Sequence, residues 1–280
     1  MTAKIIYDMP EDEYHALERF SSSGIKKLMI SAQDFWKSSW MNGERKEDEK
    51  ASFNVGTAYH KRILEGKAAF DKAYAVKPKC DRRTKEGKAI YANFLLEYPD
   101  ATEIDEDLKG FIEAAAHRIG YKPHLQQYLK DCKTEVTILW NDPETNVPMK
   151  SRLDALRPKL ITDLKTFSNS NTDIKHTLMT HIFKYGYHVQ AAVYREAVLQ
   201  SGSSDPHEMV FLFQQSGPVN NTIPVKFGED LLLAQKGRDE MKAGIRKFAE
   251  MYDKYGTSEW HDDFETVELI DESFPMYMYD

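Results

Sequence analysis

Asp154 is followed nine positions on by Asp163-Leu164-Lys165, which puts two carboxylates and an ammonium in one short stretch. Side chains alternate across a β-strand, so Asp163 and Lys165 project to one side while Leu164 turns into the core. If the neighbouring strand carries Asp154 to the same edge, the two carboxylates form a hard-oxygen site suited to Mg²⁺ or Mn²⁺. Such an ion lowers the pKa of a bound water and stabilises charge developing on a phosphate, and Lys165 is placed to orient or help deprotonate that water. A D-x-K triplet also arises by chance, and a salt bridge at a strand edge would explain Asp163 and Lys165 at small benefit. The aspartate on the adjoining strand is what favours chemistry.

Further candidates surround this set. His60 closes a helical Gly56-Thr57-Ala58-Tyr59-His60 segment. A lone inward histidine is usually a hydrogen-bonded core residue, but its imidazole can add a metal ligand, and Gly56 one turn earlier permits close approach of backbone or ligand. Glu135, at the start of a strand, can join the metal shell directly or through water; taken alone it reads as a surface residue. Gln190 and Tyr194 are spaced i and i+4 on one helix face, with Tyr187 one turn before them. An aromatic stripe is ordinarily core. A buried glutamine amide needs partners, so both polar tips suit a carboxylate of the site or a DNA phosphate.

The elements that must position these residues follow from periodicity and turn signals. Three strands are expected over residues 133–140, 149–156 and 159–166, the first two joined by NDPETN and the last following Pro158, as a compact antiparallel unit. Upstream, residues 10–20 and SSSGIKKLMI offer helix starts with acidic and serine caps. SAQDFWKSSW supplies aromatic residues for packing, and ERKEDEK reads as an exposed linker or helix face. FNVGTAYHKRILEG is helical, with Phe53, Gly56, His60 and Ile63 or Leu64 in one stripe, so His60 faces inward. Phe70 to Lys77 reads as a strand, RRTKEGKAIYANFLLEY as a basic loop entering a helix, and DEDLKGFIEAAAHRIG as an amphipathic helix. Beyond the antiparallel unit come helix from about 171 to 200, strands at EMVFLFQQ and NTIPVKF, and a long helix from about 229 to 254. The order points to an α/β sandwich with a helical N-terminal elaboration, without internal repeats.

Composition narrows the class. The chain has 280 residues, 41% of them hydrophobic, which suffices for one elaborated domain. No apolar run approaches the roughly 20 residues needed to span a bilayer, and the N-terminus lacks signal-peptide features, so a cytoplasmic location and no membrane role are expected. Cys80 and Cys132 stand apart without CxxC spacing and build neither a zinc nor an iron–sulfur site. The net charge of −7 argues against coating nucleic acid by charge alone. Between Lys61 and Lys88, however, ten basic residues face four acidic ones, a local +6. Its place directly after His60 makes Arg82, Arg83, Lys85 and Lys88 candidates for phosphate contact, against the plainer reading of a solvated face. Residues 255–280 hold eight acidic residues and no Lys or Arg, a tail ill suited to touching DNA.

Taken in order, Gly56-x-x-x-His60, Glu135, Asp154, Asp163-x-Lys165 and Gln190-x-x-x-Tyr194 resemble the RecB-like branch of the PD-(D/E)XK nucleases, and look most like the exonuclease VIII (RecE-type) proteins of phages and prophages. The likeness spans roughly residues 20 to 200 and includes SSSGIKKLM and DRRTKEGK. It implies a restriction-endonuclease-like mixed central sheet flanked by helices within one nuclease domain over 1–280: an N-terminal elaboration (1–50), a catalytic core (51–215) and a C-terminal extension with the acidic tail (216–280). It also implies Mg²⁺, replaceable by Mn²⁺, held by His60, Asp154, Asp163 and the Leu164 carbonyl, with Lys165 at the attacking water and Gln190 and Tyr194 as the family's QxxxY element. The proline usual after the early serine motif is absent (SAQDFW), and so are the four cysteines of the iron–sulfur nucleases. The activity implied is a 5′-to-3′ exonuclease on linear duplex DNA that makes single strands for phage-type recombination, with a RecT-like annealing recombinase as partner and a homo-oligomeric ring as its assembly. A non-catalytic DNA-binding or assembly protein on the same fold, or a structure-specific endonuclease, is the alternative.

Overall fold

A computed structural model of the chain describes residues 3–44, 55–168, 173–203 and 207–263. The charged run from 45, Phe53 and the acidic residues beyond Asp263 lie outside them. The chain opens with β1 (Lys4–Ile6), α1 (Glu11–Ala16), α2 (Ser22–Ile30) and α3 (Ala32–Ser38). Ser21 and Ser31 cap α2 and α3 by accepting from the backbone N–H groups of Gly24 and Asp34. Next, α4 (Val55–His60) runs on as a π-helical turn over Lys61–Glu65 and is followed by α5 (Lys67–Ala73), β2 (Tyr74–Val76), α6 (Lys85–Glu97), β3 (Thr102–Ile104), α7 (Glu106–Tyr121) and α8 (Pro123–Gln126). The expected strand over Phe70–Lys77 is therefore helical in its first half. KAAFDKA is rich in good helix formers and only three residues extend, pairing parallel with β3.

The antiparallel unit forms as expected: β4 (Lys133–Asn141), β5 (Pro148–Arg157) and β6 (Leu160–Phe167). After it come α9 (Ile174–Lys184), α10 (Tyr187–Gln200), β7 (Glu208–Gln215), β8 (Thr222–Phe227) and α11 (Leu232–Tyr255). The main sheet has the order β1-β4-β5-β6-β7-β8, antiparallel throughout except for the parallel pair β6–β7, which the α9–α10 crossover connects. Sequence reading had no element at residues 4–6. Three residues show no periodicity, and pairing with β4 makes them a strand.

Alternation along the central strands assigns the two faces. Phe211 and Phe213 of β7 pack with Ile182, Val189, Met241 and Ile25 from α9, α10, α11 and α2, whereas Leu212 and Leu164 meet Leu64, Ile119 and Leu125. The sheet is thus sandwiched by α2, α9, α10 and α11 on one face and by the π-turn, α7 and α8 on the other. A smaller core, with Tyr59, Phe70 and Ile112, fills the space beneath β2–β3. Gly237 of α11 makes the α10–α11 contact close: a Cβ there would lie 2.3 Å from the His188 carbonyl oxygen. That contact seats α10, which carries Gln190 and Tyr194.

Candidate active site

The β5–β6 ladder pairs Arg157 with Leu160, Leu156 with Ile161 and Ala155 with Thr162, and then stops. One step further in the same register Asp154 would face Asp163. The strands part there, and the Leu164 N–H donates to Asp154 Oδ2 at 2.7 Å. The divergence brings the two aspartates together while satisfying a backbone donor that the ladder no longer serves. From the other side, α4 delivers His60, whose Nδ1 lies 3.7 Å from Asp154 Oδ2 and whose ring also bonds the Leu164 backbone.

Asp163 is fully buried and held on both sides. Its Oδ2 lies 2.7 Å from Lys165 Nζ, and its Oδ1 accepts from Gln190 Nε2 at 3.2 Å. The other Gln190 amide hydrogen goes to Tyr194 Oη at 2.7 Å, and Tyr194 donates onward to the Arg152 carbonyl at 2.6 Å. The i, i+4 pair on α10 therefore forms a relay that fixes one aspartate relative to the strand bearing the other. Burial, reinforced by the negative charges of Asp163 and Asp154, raises the Tyr194 phenol well above its usual range and keeps it a donor. Lys165 Nζ pairs with Oδ2, and because a carboxylate oxygen carries two lone pairs, Oδ2 retains acceptor capacity in the interior.

Electrostatics mark the site as short of positive charge. Burial, and then the adjacent Asp163, push the Asp154 carboxyl well above the usual carboxylate range. Desolvation opposes the Lys165 ammonium most, but Asp163 and Asp154 together outweigh it and hold the lysine charged. The His60 side chain is 29% exposed. Desolvation, then the Lys165 charge, lower its pKa to about 4, so the ring is neutral near pH 7 and free to act as a ligand.

A pocket of about 330 Å³ opens over these groups, with His60, Asp154, Leu164, Lys165, Glu135 and Tyr187 in its wall. Glu135 faces Asp154 in the β4–β5 register, between the Thr134–Ala155 and Val136–Leu153 pairs, and its backbone is left-handed at φ 53°. Its carboxylate goes to Arg152 Nε at 2.5 Å rather than to the His60–Asp154 pair, and burial raises its pKa despite that partner. Among the described residues no three His, Cys, Asp or Glu side chains converge closely enough to enclose a cation. Asp163 is turned toward Gln190 and Lys165. The donor chemistry nevertheless suits a divalent ion: a buried carboxylate on Asp163, a half-buried one on Asp154 beside it, a neutral imidazole and a backbone carbonyl.

Sequence reasoning did not single out Arg152, Glu11, Tyr14 or Lys26. Arg152 precedes Asp154 by two residues, so strand alternation would have placed it on the same face. Glu11 and Tyr14 reach the rim because Lys150 Nζ bonds the carbonyls of Tyr14 and Leu17 and fastens α1 to β5. The basic segment is distributed differently from the rest of the candidates. Lys61, Arg62, Lys67, Lys77, Arg82 and Arg83 each meet a carboxylate. Arg82 stacks 3.5 Å over Tyr91, Lys85 and Lys88 are exposed on α6, and none of Arg82, Arg83, Lys85 and Lys88 lines the pocket at Asp154.

The family described as "PDDEXK-like domain of unknown function (DUF3799)" matches residues 21–260. No curated protein matches. Among solved structures, a crystal structure from Eubacterium rectale described as a "putative exonuclease" is similar in fold, with a TM-score of 0.55 and 17% identity over 86% of this chain and 86% of that one. The match is to the PDDEXK-like fold at large and does not single out the RecE-type branch. It covers β5, β6 and α10 together, and the chain belongs to the PDDEXK-like DUF3799 family.

Proposed function

We propose that this protein is a Mg²⁺-dependent DNA exonuclease that attacks the ends of linear duplexes, working 5′ to 3′ and leaving single strands for an annealing recombinase. The observation that carries the reading is Asp163, buried between Lys165 and Gln190 one residue beyond the point where β5 and β6 part around Asp154. Asp154, Asp163, His60 and the Leu164 carbonyl would hold the cation. When bound, it supplies Lewis-acid stabilisation of the scissile phosphate and a more acidic water. The chain's own groups do the rest. Lys165, kept charged by the two aspartates, presents its ammonium to the pocket, where it positions the attacking oxygen and offsets charge on the phosphate. Gln190, braced by Tyr194, holds Oδ1 of Asp163 and so limits how the carboxylate can turn toward the cation. Polarity, the duplex preference and the recombinase rest on the sequence resemblance to RecE-type exonucleases.

The test is to incubate purified protein with end-labelled linear and covalently closed circular duplexes, in Mg²⁺ or EDTA. Loss of the linear form alone, and only in Mg²⁺, is the expected result. Nicking of closed circles would support a structure-specific endonuclease, and no cleavage of either with full DNA binding would support a non-catalytic protein.

A further inference from the structure

The outer surface of α9 is an apolar ridge beside the site. Met179 and Phe183, spaced i and i+4, share one exposed face, with Phe183 57% exposed; Tyr185 follows at the helix end, and across from it the end of α2 exposes Met29 and Ile30, the latter at 78%. A groove of about 540 Å³ runs between them, lined by Met29, Ile30, Phe183, Tyr185, Lys26 and Lys184. Single exposed apolar residues are ordinary, but a contiguous patch marks a binding surface. The charge around it is mostly positive. From Ile174 to Gly186 the chain carries Lys175, His176, His181 and Lys184 and no Asp or Glu. Glu240, which also lines the groove, is engaged by His188 at 2.9 Å and Lys236 at 2.7 Å.

The ridge connects directly to the reaction centre. Lys165 Nζ lies 4.8 Å from the Tyr187 ring centroid, and the Tyr187 ring lies 5.8 Å from that of Tyr185. Lys26 donates to the Tyr185 carbonyl at 3.0 Å and lies 6.0 Å from the Tyr187 ring. Gly186 makes the turn between the two tyrosines at φ 63°, with its α-carbon so close to the Lys26 stem that a Cβ would sit 2.5 Å from Lys26 Cδ. The backbone between the two rings is therefore fixed against Lys26.

We propose that this ridge is a stacking platform for unpaired bases of the DNA strand whose phosphate lies at Lys165. The inference rests on the nuclease reading of that site. Aromatic and thioether side chains accept the π-face of any base, while Lys26 and Lys184 answer the intervening phosphates, so the surface fits single-stranded DNA irrespective of sequence.

The test is fluorescence anisotropy in EDTA, where nothing is cleaved, with a labelled oligothymidylate and an abasic strand of the same length and charge. The wild type is expected to bind the oligothymidylate about tenfold more tightly than the abasic strand, within the range of base–aromatic stacking. A Met179→Ser, Phe183→Ser variant should lose most of that preference, keep the wild-type affinity for the abasic strand and stay folded with a melting temperature a few degrees lower, since Phe183 also stacks on His188. Equal binding of the two strands by the wild type, or an undiminished preference in the variant, would overturn the platform. So would sedimentation of the wild type as an oligomer that the variant dissociates, because the ridge would then join two copies of the chain. A preserved base preference in a protein that never cleaves DNA would leave the platform standing and remove only the nuclease reading.

Discussion

Replacing Lys165 by alanine takes an ammonium that is only 15% exposed away from a carboxylate that is fully buried. Deleting one partner of a buried pair costs about 3–5 kcal/mol, because the remaining charge is stranded in the interior. An exposed strand-edge pair, the plainer reading of the D-x-K triplet, would cost about 0–1 kcal/mol. Asp163 keeps the Gln190 amide at 3.2 Å, so the lower end of the buried range applies, about 3 kcal/mol. At about 2–4 °C per kcal/mol for a chain approaching this size, the variant should melt about 6–12 °C below wild type in metal-free buffer. Saturating Mn²⁺ returns positive charge to the same carboxylates and should recover part of that loss. It should not recover catalysis, which is expected to fall at least about 100-fold for want of the positioned ammonium. Single-turnover cleavage of one linear duplex, measured beside thermal melts with and without Mn²⁺, reads both quantities. Near-normal cleavage by the folded variant would refute the role of Lys165, and a melting temperature within a degree or two of wild type would refute the buried-pair argument.

Asp154→Asn removes anionic charge from the proposed cation site, so calorimetry should show weaker Mn²⁺ binding in a folded protein; wild-type affinity would remove Asp154 from the ligand set. In EDTA, the His60 pKa of about 4 lies below the usual 6.5, so its stabilising contribution is full above about pH 6.5 and is lost as the pH falls toward 4. The difference is on the order of 3 kcal/mol, and a His60→Asn variant should show a correspondingly flatter stability profile over pH 7 to 4 by urea titration. Gly237→Ala inserts a Cβ 2.3 Å from the His188 carbonyl oxygen, a backbone atom that cannot yield without moving α10. We expect a loss of about 1–3 kcal/mol by thermal melt together with reduced cleavage, although residue 237 touches no substrate; wild-type turnover would show that α10 does not need this seat. Neutralising Arg82, Arg83 and Lys85 together should weaken duplex binding and flatten its salt dependence, and an unchanged salt slope would exclude them from the phosphate contacts.

Local rules of the chain determined a good part of this molecule. Alternation alone put Asp163 and Lys165 on one side of β6 with Leu164 in the core, and the i, i+4 spacing put Gln190 and Tyr194 on one face of α10. The three antiparallel strands were legible because turn residues and β-rich runs leave signals within a few positions. Tertiary structure decided what those faces meet. Nothing in the spacing of Asp154 and Asp163 announces that the β5–β6 ladder stops one residue short of them, or that a buried aspartate takes its second partner from Gln190, 27 residues away. Glu135 was legible as a candidate but not as the partner of Arg152, and β1 was invisible because three residues carry no period until β4 pairs with them. The basic stretch from Lys61 to Lys88 looked like one charged surface in sequence, yet folding sets Arg62, Lys77 and Arg82 against carboxylates from other elements. Periodicity is a property of neighbours along the chain, whereas the field at a site is summed over groups that only the fold brings near, and it is that sum which raises Asp154, keeps Lys165 charged and leaves His60 neutral.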